Sequence, residues 1–236
     1  SPTYLKTIHN QLSAILNHAV NMYGLKDNVA RKAGTMGKEE NKEMEFWTQE
    51  EFQAFLECVA DKPISYYAFE MLYWTGIREG ELLALTPADF NFEKKTLRIN
   101  KSYQRLEGKD VITDPKTPKS NRTIVMPDFL VVEMENFISS LYGIRDDDRI
   151  FTISKSYLHH EMDRGAKLAG VKRIRIHGLR HSHISLLINL GFSALAIGER
   201  VGHEAVDITY HYAHLFPTVQ TDMAAQLEAV GGGRER

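Results

Sequence analysis

HGLRHSHISLLI, residues 177–188, places a histidine and an arginine three positions apart at the head of a run whose apolar residues recur at helical spacing. Residues i and i+3 are neighbours on a helix surface, so His177 and Arg180 set an imidazole beside a guanidinium on an amphipathic helix. The same spacing occurs upstream in TGIREGELLAL, residues 75–85, where Arg78 and Glu81 share a face at a helix start. A guanidinium is a planar fork that grips two phosphate oxygens and keeps its charge, so two of them can hold one phosphodiester. A histidine next to them can move a proton. Neither box is distinctive alone. An arginine and a glutamate at this spacing usually form a surface pair, and a histidine at a helix start is often a cap.

The chain around these boxes is mainly helical. Apolar residues with helical period predict helices over 49–60, 64–75, 128–141, 156–169, 177–190, 193–201, 208–212 and 218–230. Thr48 and Glu51 have the capping-box spacing ahead of the first, and Gly76 interrupts the second. Leu97 with Ile99, residues 111–113 and residues 123–126 alternate like short strands, with Glu107-Gly108-Lys109-Asp110 as a turn between them. The expected fold class is therefore mostly α with a small antiparallel β-sheet, an α+β domain over 45–230. Ahead of it, Leu5, Ile8, Leu12, Ile15 and Leu16 form a helical stripe over 4–23 that needs a cover, with Gly24 as its C-cap. One helix is not a domain, so residues 1–33 read as the end of a helical one. Residues 34–44 (GTMGKEENKEM) are polar and aperiodic, as a linker is, and GGGRER at 231–236 reads as a flexible tail.

Composition narrows the class further. With 43% hydrophobic and 25% charged residues over 236 positions, the chain is that of a soluble globular protein rather than a disordered, collagenous or coiled-coil one. The single Cys58 cannot form an internal disulfide, and no run approaches the roughly 20 apolar residues of a membrane span, so the expected location is the cytoplasm with no membrane partner. A net charge of −2 and a pI near 6.6 weigh against DNA binding, which draws its affinity from lysine and arginine. Distribution answers that objection. Lys101, Arg105, Lys119 and Arg122 in one basic segment, and Lys172, Arg173 and Arg175 in a second, are candidate DNA contacts, while acidic residues gather over 39–57. The close pairs His181/His183 and His211/His214 suggest a metal, but on helices they diverge or lack acidic companions, so no metal site is expected.

Two further stretches complete an ordered set. DPKTPKSNRTIVMP, residues 114–127, is a lysine-rich turn leading into a strand, and VGHEAVDITYHYAHL, residues 201–215, puts His203 nine positions before Tyr212. In this order the sequence resembles the tyrosine recombinase (phage integrase) family, whose signature runs Arg, Lys, His-x-x-Arg, His or Trp, then Tyr. It is most similar in character to integrases of Gram-positive mobile elements. The resemblance runs from about residue 45 to 228 and implies the family's catalytic-domain fold; it also makes residues 1–33 look like the C-terminal helix of a truncated core-binding domain.

The resemblance implies Arg78, Lys116, His177, Arg180, His203 and Tyr212 as catalytic residues, with Glu81 supporting them. Arg78, Arg180 and His203 would stabilise the nonbridging oxygens, His177 would accept the tyrosine proton, and Lys116 would protonate the departing 5′ oxygen. Tyr212 is preferred to Tyr210 by its spacing from Gly202-His203, and Lys116 to Lys119 by the Lys-Thr pair it opens. The implied reaction is cleavage and rejoining of DNA through a 3′-phosphotyrosyl bond, without metal, ATP or other cofactor. The implied partners are double-stranded DNA at attachment sites and three further copies in a homotetramer on that DNA, with room for accessory DNA-bending or excision factors. The alternatives are a type IB topoisomerase-like enzyme and a catalytically silent DNA-binding protein.

Overall fold

Ser1 caps α1 (Pro2–Tyr23), and Gly24 ends it at φ 67°, in the left-handed region that glycine enters without a Cβ clash. The computed structural model describes residues 1–37, 44–114, 120–202, 212 and 215, and the chain divides into two units, Ser1–Met44 and Glu45–Arg236. In the first unit Asn28 is the fastener. Its Oδ1 accepts the N–H of Ala30 at 3.0 Å to cap α2 (Val29–Lys32), while its Nδ2 donates to Ser13 O and Asn17 Oδ1 on α1 at 2.9 and 2.8 Å. Leu5, Ile8, Leu12 and Ile15 are exposed, so the stripe predicted on this helix is real and uncovered.

The second unit begins with the capping box read from the sequence. Thr48 Oγ1 accepts the N–H of Glu51 at 3.3 Å and Glu51 Oε2 accepts that of Thr48 at 2.9 Å, closing the start of α3 (Gln49–Val59). There follow α4 (Pro63–Thr75), α5 (Glu79–Leu82), β1 (Phe90–Asn91), β2 (Thr96–Ile99), β3 (Ser102–Leu106), β4 (Lys109–Thr113), β5 (Arg122–Val125), α6 (Asp128–Ser140), α7 (Lys155–Ala169), α8 (Ile176–Asn189) and α9 (Ala194–Val201). The fold class is thus the expected one, helices around small antiparallel sheets. One sheet has the order β1-β2-β5, and β3 and β4 make a separate hairpin. Its turn is tighter than predicted: Glu107 and Gly108 both take positive φ, 49° and 78°, as a two-residue primed turn demands, and Lys109 and Asp110 already belong to β4. Strand β3 escaped the pattern because only Tyr103 of its residues is buried.

The core is built on α4, which is buried on most of its faces: Phe69, Met71, Leu72 and Tyr73 are all under solvent-free packing. Phe52 stacks on Tyr73 with centroids 3.8 Å apart, Phe55 meets Phe69 edge-on at 4.8 Å, and Tyr67 stacks on Phe137 at 4.2 Å, tying α3 and α6 to the central helix. Gly165 on α7 lets α3 come close, since a Cβ there would lie 2.7 Å from Val59 Cγ1. Helix α8 is unusual in carrying Arg180, Ser182, His183 and Ser185 inward.

One acidic pair works against this core. Glu70 on α4 is buried, Oε2 of Glu70 and Oε2 of Glu133 have no hydrogen bond among the described residues, and burial, then the charge of Glu133, pushes Glu70 up to about 8. A carboxyl raised in the folded state contributes stability below its ordinary value of 4.5 that is lost as pH rises toward 8. Glu70→Gln is therefore expected to raise stability at pH 8 by about 1–3 kcal/mol, the scale of an unsatisfied buried polar group, and to change little at pH 4.5. Urea unfolding at the two pH values measures the difference; equal effects at both would contradict it.

Candidate active site

Gly76 is where the site starts. It ends α4 at φ 65°, its carbonyl accepts from Arg180 Nη1 at 2.7 Å, and a Cβ at this position would lie 2.6 Å from His183 Cδ2. Both the backbone angle and the close approach therefore require glycine. The chain then turns through buried Ile77 into Arg78, the N-cap of α5. Glu81 binds this arginine twice, accepting its backbone N–H on Oε2 at 2.9 Å and its Nη1 on Oε1 at 2.8 Å. The pairing predicted from i, i+3 spacing exists, with the Glu81 carboxylate buried and the Arg78 side chain half-buried.

A second guanidinium occupies the other side of the same carboxylate. Arg122 of β5 donates Nη1 to Glu81 Oε1 at 3.1 Å and Nη2 to Oε2 at 2.9 Å, a bidentate pair, and gives Nη1 to Ser120 O and Nε to Arg200 O. Burial alone would push the Glu81 carboxyl up; the hydrogen bonds and charge of Arg122, joined by Arg78, outweigh it and hold the group below its ordinary range.

Arg180 is 1% exposed. It donates to Gly76 O and Val201 O, and its Nε has no partner among the described residues. Burial, then the charges of Arg78 and Arg122, pull its guanidinium down to about 9, so it stays a cation at pH 7. Three arginines thus stand within electrostatic reach of one another around a single carboxylate. The local excess is positive and desolvated, the condition under which an anion is bound most strongly.

Two histidines extend the site along α8. Desolvation by its neighbours, then the charges of Arg180 and Arg78, draw His177 below its usual value although the residue is exposed, which favours its neutral form. His181 lies one turn on, its ring edge-on to His177 with centroids 4.9 Å apart. Tyr212, only 3% exposed, brings its hydroxyl to Nδ1 of His181. Burial pushes this phenol well above its usual value, and the positive charge of Arg180 pulls the other way. Guanidiniums, imidazoles and a phenol drawn from residues 78 to 212 therefore converge in one place. Residues 45–218 match the sequence model of the phage integrase family. The chain belongs to that family.

Its relatives within the phage integrase family include the ICEBs1 integrase of Bacillus subtilis strain 168, 32% identical over 243 residues that cover 95% of this chain and 65% of that protein. The integrase of Staphylococcus phage L54a is 30% identical over 179 residues, covering 68% of this chain and 51% of that protein. The chain spans about two thirds or less of the length of these relatives. The family's solved folds agree with the one described. The Tn1549 transposon integrase in complex with a circular intermediate DNA superposes with a TM-score of 0.75 at 21% identity, over 96% of this chain and 79% of that one. A lambda integrase dimer bound to a core site gives 0.60 at 17%, over 86% and 58%.

Of the residues singled out by the phage integrase resemblance, Arg78, Glu81, His177, Arg180 and Tyr212 come together; Lys116, Lys119 and His203, like Tyr210, His211 and His214, lie outside the described residues. Among the candidate DNA contacts, Lys172, Arg173 and Arg175 are exposed just ahead of α8, and Arg105 is exposed on β3. Lys101 is held by Asp89 Oδ2 at 2.5 Å and Thr86 Oγ1 at 3.1 Å, which leaves it partly buried. Arg122 departs from the surface role expected of it: its guanidinium is committed to Glu81 and to two carbonyls, because β5 points Arg122 and Ile124 inward together. The strand's period of two already carries that signal.

Three residues of this phage integrase site went unassigned in the sequence. Arg200 bolts it together, donating Nε to His183 Nε2 at 3.0 Å, Nη1 to Val125 O at 3.0 Å and Nη2 to Trp74 O at 3.2 Å, and so joins α4, β5, α8 and α9. His183 is buried and pushed down to about 3, first by burial and then by Arg200, so it is a neutral acceptor in the core. His181 and His183 consequently serve different partners. The hydroxyl of Tyr212 meets the former, and nothing in the sequence distinguished the two.

Proposed function

We propose that the chain is the catalytic part of a site-specific DNA recombinase that cleaves and rejoins DNA through a covalent bond between Tyr212 and a 3′ phosphate. The observation that carries this reading is the gathering of Arg78, Arg180, His177 and the Tyr212 hydroxyl into one positively charged cluster in a phage integrase fold. A phosphodiester resists attack because its oxygens are anionic. Arg180, whose Nε has no partner among the described residues, and Arg78, positioned by Glu81, would take the charge that develops on the nonbridging oxygens, and such preorganised donors are often the largest catalytic term. Lys116 and His203, carried over from the family signature, would protonate the 5′ oxygen and add a further hydrogen bond. The phosphotyrosyl bond retains the energy of the one it replaces, so rejoining to another strand's 5′ hydroxyl needs neither ATP nor metal.

The partner in this reading is double-stranded DNA; the Tn1549 integrase is in complex with a circular intermediate DNA, and the lambda integrase dimer is bound to a core site. The assembly is a homotetramer on paired sites, open to accessory bending or excision factors, acting in the cytoplasm; among the described residues no helix is long and apolar enough to cross a membrane. The test is incubation with nicked duplexes from the ends of the host element, in EDTA and without nucleotide. The expected result is a protein–DNA adduct that survives denaturation and leaves a free 5′ hydroxyl. Cleavage that chelator abolishes, without an adduct, would overturn the reading, and relaxation of supercoils without recombinant products would move it to a topoisomerase.

A further inference from the structure

We propose that His181, rather than His177, is the group that orients the Tyr212 hydroxyl and takes its proton. The inference rests on the phosphotyrosine reading and specifies its proton route. The Tyr212 hydroxyl lies on His181 Nδ1, and the phenol is buried, so bulk water has no access to its proton in this arrangement. An acceptor must therefore be built in, the more so because burial raises the phenol's hold on that proton. His177 is less suited to the task. The charges of Arg180 and Arg78 weaken it as a base, and it meets His181 only edge-on. That position suits a neutral hydrogen-bond partner for the phosphate.

The step balances as follows. The O–H bond of Tyr212 breaks and its proton passes to His181 Nδ1, while the phenolate oxygen forms the new bond to phosphorus. The bond from phosphorus to the 5′ oxygen breaks, and that oxygen takes a proton from the general acid assigned to Lys116. Rejoining runs the same transfers backward and restores His181 to its neutral form. For this the resting imidazole carries its hydrogen on Nε2 and leaves Nδ1 open as the acceptor.

Two substitutions and one spectrum decide the matter. His181→Ala removes both orientation and base, and is expected to slow single-turnover adduct formation on a nicked duplex by about 10²- to 10⁴-fold, the range for general-base catalysis. His181→Asn puts an amide oxygen close to the place of Nδ1, so it should hold the phenol and recover part of that loss without matching the wild type. Imidazole nitrogen NMR of the wild-type chain should show Nδ1 of His181 as an unprotonated acceptor whose resonance shifts in Tyr212→Phe, a readout that needs no DNA and stands even if His181→Ala fails to fold. Adduct rates for both variants within about twofold of wild type, or a protonated Nδ1, would overturn the proposal while leaving the recombinase reading intact. A wild-type chain that forms no adduct sinks the recombinase reading, and the base assignment with it.

Discussion

Tyr212→Phe is expected to abolish covalent trapping on a nicked duplex, whereas Tyr210→Phe retains it. The two tyrosines are two positions apart and on a helix would point in different directions, so one site cannot use both. The hydroxyl of Tyr212 is on His181, and its phenol feels the charge of Arg180. Phenylalanine keeps the ring that fills this buried position and deletes only the oxygen, so the variant should fold, at a cost of about 1 kcal/mol for one lost hydrogen bond. Binding to the same duplex should persist, because the arginines proposed to hold the phosphate are untouched. A denaturing gel reads the adduct and a native gel reads the binding. Trapping that survives in Tyr212→Phe and disappears in Tyr210→Phe would move the nucleophile.

The second large effect is on stability. Arg122→Ala is expected to destabilise the chain by about 3–5 kcal/mol, the cost of breaking a buried ion pair from one side. Glu81 would lose its bidentate partner while still buried, and Arg200 O and Ser120 O would lose their donors. Arg122→Lys should recover little, since an ammonium cannot form the fork. The effect has a pH signature. Glu81 is held below its ordinary value, so the stability the pair contributes is present above about pH 4.5 and is lost as pH falls through the folded value. Denaturant midpoints for wild type and Arg122→Ala should therefore converge in acid. A variant as stable as wild type at pH 7 would mean that the pair is not what positions Glu81.

The sequence was legible where a local rule had a single reading. The Thr48–Glu51 capping box, the glycine stops at Gly24 and Gly76, and the helical stripes up to residue 201 reappear, because caps and amphipathic periods depend on a few neighbouring residues; the helices expected over 208–212 and 218–230 lie, but for Tyr212, outside the described residues. The fold brings together Arg78, Glu81, His177, Arg180 and Tyr212, which the ordered boxes had singled out. What remained hidden was contact at a distance. Arg122 looked like one more cation in a basic segment; the period of β5 points it inward, but that its partner there is Glu81 is a contact no local rule reveals. His181 and His183 differ by two positions on one helix, and the packing of α4 and α9 decides which is entombed against Arg200 and which meets Tyr212. Charge deceived in the same way: Arg122, Arg180 and Arg200 are consumed internally, so a near-neutral pI says little about the local charge around Glu81.

The most direct measurement is mass mapping of the DNA-linked peptide after wild-type chain is trapped on a nicked duplex from the element's end, in EDTA, and digested. A 3′-phosphonucleotide on Tyr212 is the expected finding. Modification of any other residue, or cleavage products with no linked peptide, would contradict the proposal that Arg78, Arg180 and Tyr212 act on one scissile phosphate.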